Sequence, residues 1–316
     1  MQHDKDIWII VFDDDTELYL LETSLYFYNL FDETTPINII INELDYYKCE
    51  SICNRLYALN LSIPITIYHA DELLSESELI EIKKIKNKME GFDGFGWIVQ
   101  QYLKLIIHRK SKSEYSYILD CKNIPIKQNA IEMISDYHSF EGSGYDGTSY
   151  YNDFKIHLRA RGILKDNSHC PKSVMTPFIF KNSILKCMDT DLDIFNKIFS
   201  SVRDPNMNYK SNVPLVSEII LYYSYIRGNR DKFAKHTYKN INWHIENSII
   251  FDIMAKNSSF EDLVYAARTY DSLDLCTIKF ENMYYISVHR HVLKNSDNFK
   301  KFVNFIKRVK NTHHMT

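Results

Sequence analysis

Along the first 130 positions, short unbroken apolar runs alternate with longer stretches in which apolar residues recur every three or four positions. Ile7 to Phe12 is continuously apolar and stops at Asp13-Asp14-Asp15, after which Leu18, Leu21, Leu25, Tyr28 and Leu30 return with helical spacing. This predicts a strand, an acidic turn and a helix. The pattern repeats: Ile37 to Ile41 precedes a helix reaching the region of Leu59, and Ile65 to Tyr68 precedes a charged helix running from the region of Ser75 to that of Met89. Strands apolar at every position are buried on both faces, and their alternation with helices predicts parallel βαβ units in a doubly wound α/β sheet. Ligands of such sheets bind beyond the carboxyl ends of the strands, so the polar residues that end each run are the first candidates for function.

Glycines at 91, 94 and 96 then precede a helix containing Trp97, Gln100, Gln101 and Lys104, followed by YSYILDCKNIPI, an apolar strand ending in polar residues that include Asp120, Lys122 and Asn123. Residues 138 to 170 are rich in Tyr, Ser, Gly and Asp without clear periodicity, which predicts loops suited to holding an acceptor. Beyond them lie the apolar segment VMTPFIF, helical stretches near 183 to 202 and 213 to 227, an aromatic region around Trp243, the strand MYYISVH and a terminal basic helix. The organisation expected is a nucleotide-binding α/β core over residues 1–130, and a more helical, acceptor-side region over 131–316 that completes the same catalytic unit.

Composition narrows the function. The chain has 316 residues, 45% of them hydrophobic and 25% charged, as folded proteins do. Only 8 are Gly, against 23 Tyr and 18 Phe, so glycine-rich phosphate loops are not expected to carry the function. A net charge of -3 gives no basic footprint for nucleic acid. Cys49, Cys53, Cys121, Cys170, Cys187 and Cys276 show no paired spacing, so neither a disulfide framework nor a zinc site is expected. No run approaches the ~18 apolar residues of a membrane span, and the opening MQHDKDIWIIVFDDD is too acidic for a signal peptide, which predicts a cytoplasmic protein. Lys300, Lys301, Lys307, Arg308 and Lys310 interleave with Phe299, Phe302, Val303, Phe305 and Ile306. This reads either as a solvated helix face or as a peripheral contact with an anionic membrane.

Five motifs occur in order between residues 91 and 291: GWIVQQYLKL, YILDCKN, TPFIF with its following helix, SEIILYYSYI and SVHR. With them the chain resembles a bacterial and viral family of GT-A-like glycosyltransferases associated with capsule and surface-polysaccharide synthesis. The resemblance implies a GT-A-like, Rossmann-like sheet, mostly parallel and flanked by helices. It also implies transfer of a sugar from a nucleotide-sugar donor to a glycan or glycoconjugate acceptor. It places Asp13, Trp97, Gln100, Gln101 and Lys104 on the donor side, and Asp120, Lys122 and Asn123 at the diphosphate or the sugar. Glu218, in the Ser217-Glu218-x-x-x-Tyr222 motif, becomes the candidate base of an inverting reaction, and His289 a diphosphate or metal contact. The family's Asp-x-Asp, which holds a divalent cation, is replaced by Asp120-Cys121-Lys122. Lys122 then either neutralises the diphosphate without a metal, or Asp120 and His289 hold Mn²⁺ or Mg²⁺.

Each motif has a plainer reading. Asp13-Asp14-Asp15 serves equally as a helix cap, and Asp189, Asp191 and Asp193 lack the Gly and distal Glu of a calcium loop, so capping is expected there too. His289 and His291 flank Arg290 at a strand end, where alternate residues share a face. Trp97, with Tyr102, Leu103 and Ile106, fits a buried helix face, and Lys104 fits a solvated one. Gln100 and Gln101 are harder to explain by packing. Cys121 has no identifiable base beside it and is not expected to be a nucleophile. Two other functions compete with transfer: a non-catalytic GT-A-like nucleotide- or glycan-binding protein, and a nucleotidyltransferase, which would need a carboxylate pair for two metals that is not evident near Asp120. A dehydrogenase is disfavoured because the first strand lacks GxGxxG.

Overall fold

The computed structural model describes residues 4–31, 34–88, 95–128, 130–131, 138–139, 178–199, 218, 221–222, 225–226, 229, 242–243, 264–267, 285–288 and 290–314. The apolar runs form the strands their pattern predicts: β1 (Lys5–Val11), β2 (Ile37–Ile41), β3 (Ile65–His69) and β4 (Tyr115–Asp120). They alternate with α1 (Asp15–Leu30), α2 (Tyr46–Tyr57), α3 (Glu76–Lys88) and α4 (Phe95–Ile106). The chain then continues through β5 (Asn123–Pro125), β6 (His138–Ser139), β7 (Phe178–Lys181), α5 (Asn182–Leu192), α6 (Ile194–Phe199), β8 (Asn242–Trp243), β9 (Val264–Ala267), β10 (Tyr285–Val288), α7 (Arg290–Leu293) and α8 (Ser296–His314).

The main sheet has the order β3-β2-β1-β4-β7. Its first four strands are parallel, and β7 closes the far edge antiparallel to β4, with Ser116 opposite Phe180. Every residue of β2 is buried, as expected of a strand covered on both faces, whereas edge strand β3 is only partly covered. Successive strands step outward from β1 to β2 and β3, and the chain then crosses to the other side of β1 to lay down β4. The β1/β4 boundary is therefore the topological switch point, and its carboxyl edge carries the acidic turn after β1 and Asp120 at the end of β4. This is an α/β fold with a mostly parallel sheet flanked by helices.

The strand YSYILDCKNIPI does not run straight through. A tight turn at Cys121–Lys122 breaks it, and β5 leaves to join β10 and β9 in a second sheet. Asn123 makes the turn: its side chain is fully buried, and its Oδ1 accepts from the Asp120 backbone N–H at 2.7 Å. Helix α1 starts as the acidic turn predicts, with Asp14 as N-cap accepting from the backbone of Thr16 (3.0 Å) and Glu17 (3.1 Å). Its buried residues include Leu18, Leu20, Leu21, Leu25, Phe27 and Tyr28, a set too wide for a single apolar stripe. The helix has partners on more than one side: Ser24 donates to the carbonyl of Asn123, Tyr28 meets Tyr285 of β10 at 3.3 Å, and Tyr19 packs on Phe299 of α8.

That packing corrects the membrane reading of the terminal helix. Phe302, Phe305, Ile306 and Val309 are all buried in the protein, so the apolar stripe of α8 serves the core and leaves only its charged side exposed. Lys310 lies 3.6 Å above the ring of Tyr26, where burial pushes its pKa down. Asp189 and Asp191 also differ from expectation. They sit late in α5, where Asp189 accepts from Arg109 and Asp191 from the Tyr225 hydroxyl. Asp193 does act as a cap, accepting from the backbone N–H of Asn196 at 3.4 Å, and adopts the left-handed conformation with φ 48°.

At the amino edge of the sheet, opposite the switch-point edge, Asp6 accepts from Ser111 (2.6 Å) and Ser116 (2.7 Å). Asn182 at the start of α5 donates to the hydroxyls of both serines, at 2.9 and 2.8 Å. Burial raises the Asp6 pKa, and the two hydroxyls pull it back. Replacing Ser116 by Ala deprives a buried carboxylate of a donor, so Ser116→Ala is expected to lower stability by about 1–3 kcal/mol in urea denaturation. Ligand binding at the opposite edge should be unchanged.

Candidate functional site

Helix α4 sets the site because it approaches the sheet so closely. A Cβ on Gly96 would lie 3.0 Å from the Phe12 ring, and the Gly96 carbonyl accepts from Asn42 Nδ2 at 3.0 Å, which ties the start of the helix to the end of β2. Two turns further on, Lys104 points under the end of β4. Its side chain is 5% exposed, and its ammonium donates to Asp120 Oδ1 at 3.1 Å and to Glu218 Oε1 at 3.0 Å. Gln101, three residues before Lys104 on the same helix face, lies against Glu218 and accepts from its backbone N–H at 3.4 Å; with the amide turned the other way, its NH2 faces the Glu218 carboxylate. Lys122 completes the group from above, with its Nζ 2.6 Å from Asp120 Oδ2.

Burial works against the Lys104 charge, but the carboxylates of Asp120 and Glu218 more than offset it and hold the pKa above the ordinary lysine value. Burial also pushes the Glu218 carboxyl upward, against the pull of Lys104. Two carboxylates and two ammoniums make a formally neutral group of four. Of these, Asp120 and Lys122 retain partial exposure, with side chains 21% and 15% accessible. Beside them the Cys121 thiol is buried and donates to the carbonyl of Ile10, and burial drives its pKa well up, as befits an inert thiol.

The donor set at Asp120 is poorly suited to a divalent cation. Both oxygens of Asp120 face an ammonium, the group carries no net negative charge, and among the described residues no three His, Cys, Asp or Glu side chains come together as a metal set. A hard cation needs oxygen ligands with compensating charge, so the residues described at Asp120 do not fit one. His289 lies outside the described residues.

The sequence candidates thus divide. Asp120, Lys122, Lys104, Gln101 and Glu218 converge. Asn123 does not face a ligand: it is buried and closes the turn beneath Asp120. Glu218 differs from the exposed base expected, because its side chain is 6% exposed and its carboxylate is paired with the Lys104 ammonium at 3.0 Å. Lys104 is not the solvated residue of the plainer reading. Trp97 is partly buried against the core, and Gln100 is half-buried outside the group of four. Asp13 is exposed and paired with Lys48 at 3.2 Å.

One acid at the same edge escaped the sequence reading. Glu17, in the first turn of α1, accepts from Phe12 N–H at 3.3 Å and from Arg290 Nη1 at 3.1 Å. Burial raises its pKa to about 6; Arg290 and the Phe12 N–H pull it down, while Asp120 and Asp14 push it up. Asp14-x-x-Glu17 is a capping-box spacing directly after a strand, a signal that would have pointed to it.

No protein-family model matches the chain, and no curated protein matches it. Among solved structures the chain is similar, at 10% identity, to mouse xyloside xylosyltransferase 1 in its apo form, with a TM-score of 0.42 over 84% of this chain and 89% of that one. An active-site mutant of LgtC gives 10% identity and a TM-score of 0.43 over 95% of each chain. The Mn/GDP form of core-mannan synthase A from Aspergillus fumigatus gives 10% identity and 0.37 over 63% of this chain and 64% of that one. At these scores none of the three carries an argument about this chain's activity.

Removing Lys104 would leave Asp120 and the buried Glu218 without their shared cation. Lys104→Met is expected to cost about 3–5 kcal/mol by chemical denaturation, and adding Glu218→Leu should recover part of that loss. Glu17 gives a second expectation. Its folded pKa, about 6, lies above the ordinary glutamate value of 4.5, so its stabilising contribution is present below about pH 4.5 and is lost as pH rises through 6. Relative to Glu17→Gln, the natural protein should lose about 2 kcal/mol between pH 4 and pH 7, read from paired denaturation curves.

Proposed function

We propose that the chain is a glycosyltransferase that moves a sugar from a nucleotide-sugar donor to a glycan or glycoconjugate acceptor, of the kind used in capsule and surface-polysaccharide synthesis. The observation that carries this reading is the four-charge group of Asp120, Lys104, Glu218 and Lys122, seated at the carboxyl edge of the β1/β4 switch point. The order of the five motifs supplies the reaction class. Residues 1–130 hold the donor, and residues 131–316 supply the acceptor side. The cytoplasm is the proposed compartment, in keeping with the free thiols of Cys49, Cys53, Cys121 and Cys187.

In this reading Lys122 lies beside the donor diphosphate, and its ammonium offsets the negative charge that grows on the departing oxygen as the glycosidic bond breaks. Asp120 accepts a hydrogen bond from a hydroxyl of the donor sugar. Lys104, Glu218 and Gln101 are positioning residues: the buried ion pairs lock the Asp120 carboxylate in one orientation before the donor arrives. Glu218 acts through Lys104 and not as the base. A second reading, a non-catalytic nucleotide- or glycan-binding protein, is favoured by the same engagement of Glu218, since it removes the expected base.

A thermal-shift panel of UDP-, GDP-, CMP- and dTDP-sugars, with and without Mn²⁺, tests the proposal. A donor at 100 times its Kd should add about 2.7 kcal/mol of stability. Asp120→Asn should keep the fold and lower turnover of the stabilising donor by at least ~10². Stabilisation without any transfer or donor hydrolysis would favour the binding protein, and no shift with any donor would overturn both readings.

A further inference from the structure

The two carboxylate oxygens of Glu17 hold two parts of the chain that are far apart in sequence. Oε2 accepts from the backbone N–H of Phe12, the residue that leads into the acidic turn, and Oε1 accepts from Arg290, the first residue of α7. Arg290 also reaches Asp14, the N-cap of α1, at 3.9 Å. The side chain of Glu17 is 18% exposed and that of Arg290 38%, so the pair lies at the rim and not in the core. A partly exposed ion pair of this kind adds little to stability by itself, so what it contributes is the geometry it fixes between the two segments.

We propose that Glu17 is a positioning residue of the donor site: by holding Phe12 N–H and the Arg290 guanidinium together, it sets the acidic turn after β1 and the α7 segment in the geometry that receives the donor. The inference rests on the glycosyltransferase reading and adds a residue to it. Glu17 acts through the groups it holds and needs no contact with the donor. The charged groups acting on it are Arg290 from α7, Asp14 from its own helix and Asp120 from the end of β4. At neutral pH the Glu17 carboxylate is ionised and accepts from both groups at once.

The test measures binding of UDP, GDP, dTDP and CMP by calorimetry to the full chain at pH 7. Glu17→Gln, Arg290→Met, Arg290→Lys and the Glu17→Gln/Arg290→Met double variant are compared with the natural protein, and melting curves confirm that each folds. Natural protein should bind one of the nucleotides, and Glu17→Gln and Arg290→Met should each bind it about tenfold more weakly. The double variant should be no weaker than either single one, and Arg290→Lys should restore part of the affinity. Glu17→Gln binding as tightly as the natural protein would overturn the inference while leaving the donor reading in place. Binding of none of the nucleotides by the natural protein would overturn both.

Discussion

Lys104 is a buried cation held between two carboxylates, one at the end of β4 and the other on the segment carrying Glu218. An ammonium removed from water is tolerated only where opposite charges surround it, so the position of Lys104 dictates where Asp120 and Glu218 must lie. Helix α4, the end of β4 and Glu218 are thereby tied at one point, and that point is the switch-point edge of the sheet. The close approach at Gly96 serves the same end, because only a helix pressed against Phe12 and Asn42 delivers Lys104 beneath Asp120.

The charge balance of this group shapes the chemistry proposed for it. A site built to hold a divalent cation presents surplus negative charge. Here the four side chains sum to zero, and both Asp120 oxygens are occupied by ammoniums. In the proposed reaction, the positive charge facing a departing diphosphate is that of Lys122 in the chain itself. The rigidity of the arrangement matters as much as its charge, because a carboxylate held by two ammoniums does not have to be ordered when a donor arrives.

A second layer of organisation links the start and end of the chain. Helix α8 packs its phenylalanines against α1, and α7 sends Arg290 to Glu17 and Asp14. The acidic turn after β1 is thus fixed from two directions, by its own N-cap and by a residue more than 270 positions away. Such long-range contacts explain why α1 is buried over most of its surface although its sequence is only loosely amphipathic.

Periodicity alone determined the alternation of strands and helices through Asp120, the parallel character of the sheet, and the carboxyl-end position of the acidic turn and the YILDCKN motif, because local apolar spacing reports directly on which faces are covered. It also exposed Gln100 and Gln101 as residues hard to explain by packing, of which only Gln101 joins the charged group, while Lys104 passed for a solvated residue. What it could not decide was which of these polar groups meet. Glu218 passed for a base because a sequence shows a carboxylate without its partners; folding brought Lys104 and Gln101 onto it and buried it. Asn123 passed for a ligand contact because its role, closing a turn under Asp120, exists only once β5 leaves the sheet. The basic helix left a membrane contact open because amphipathic spacing is the same whether lipid or α1 covers the apolar face. Glu17 went unnoticed because its partner, Arg290, lies at the other end of the chain. Charge pairing and burial are properties of three-dimensional neighbours, and only the tertiary structure assigns those neighbours.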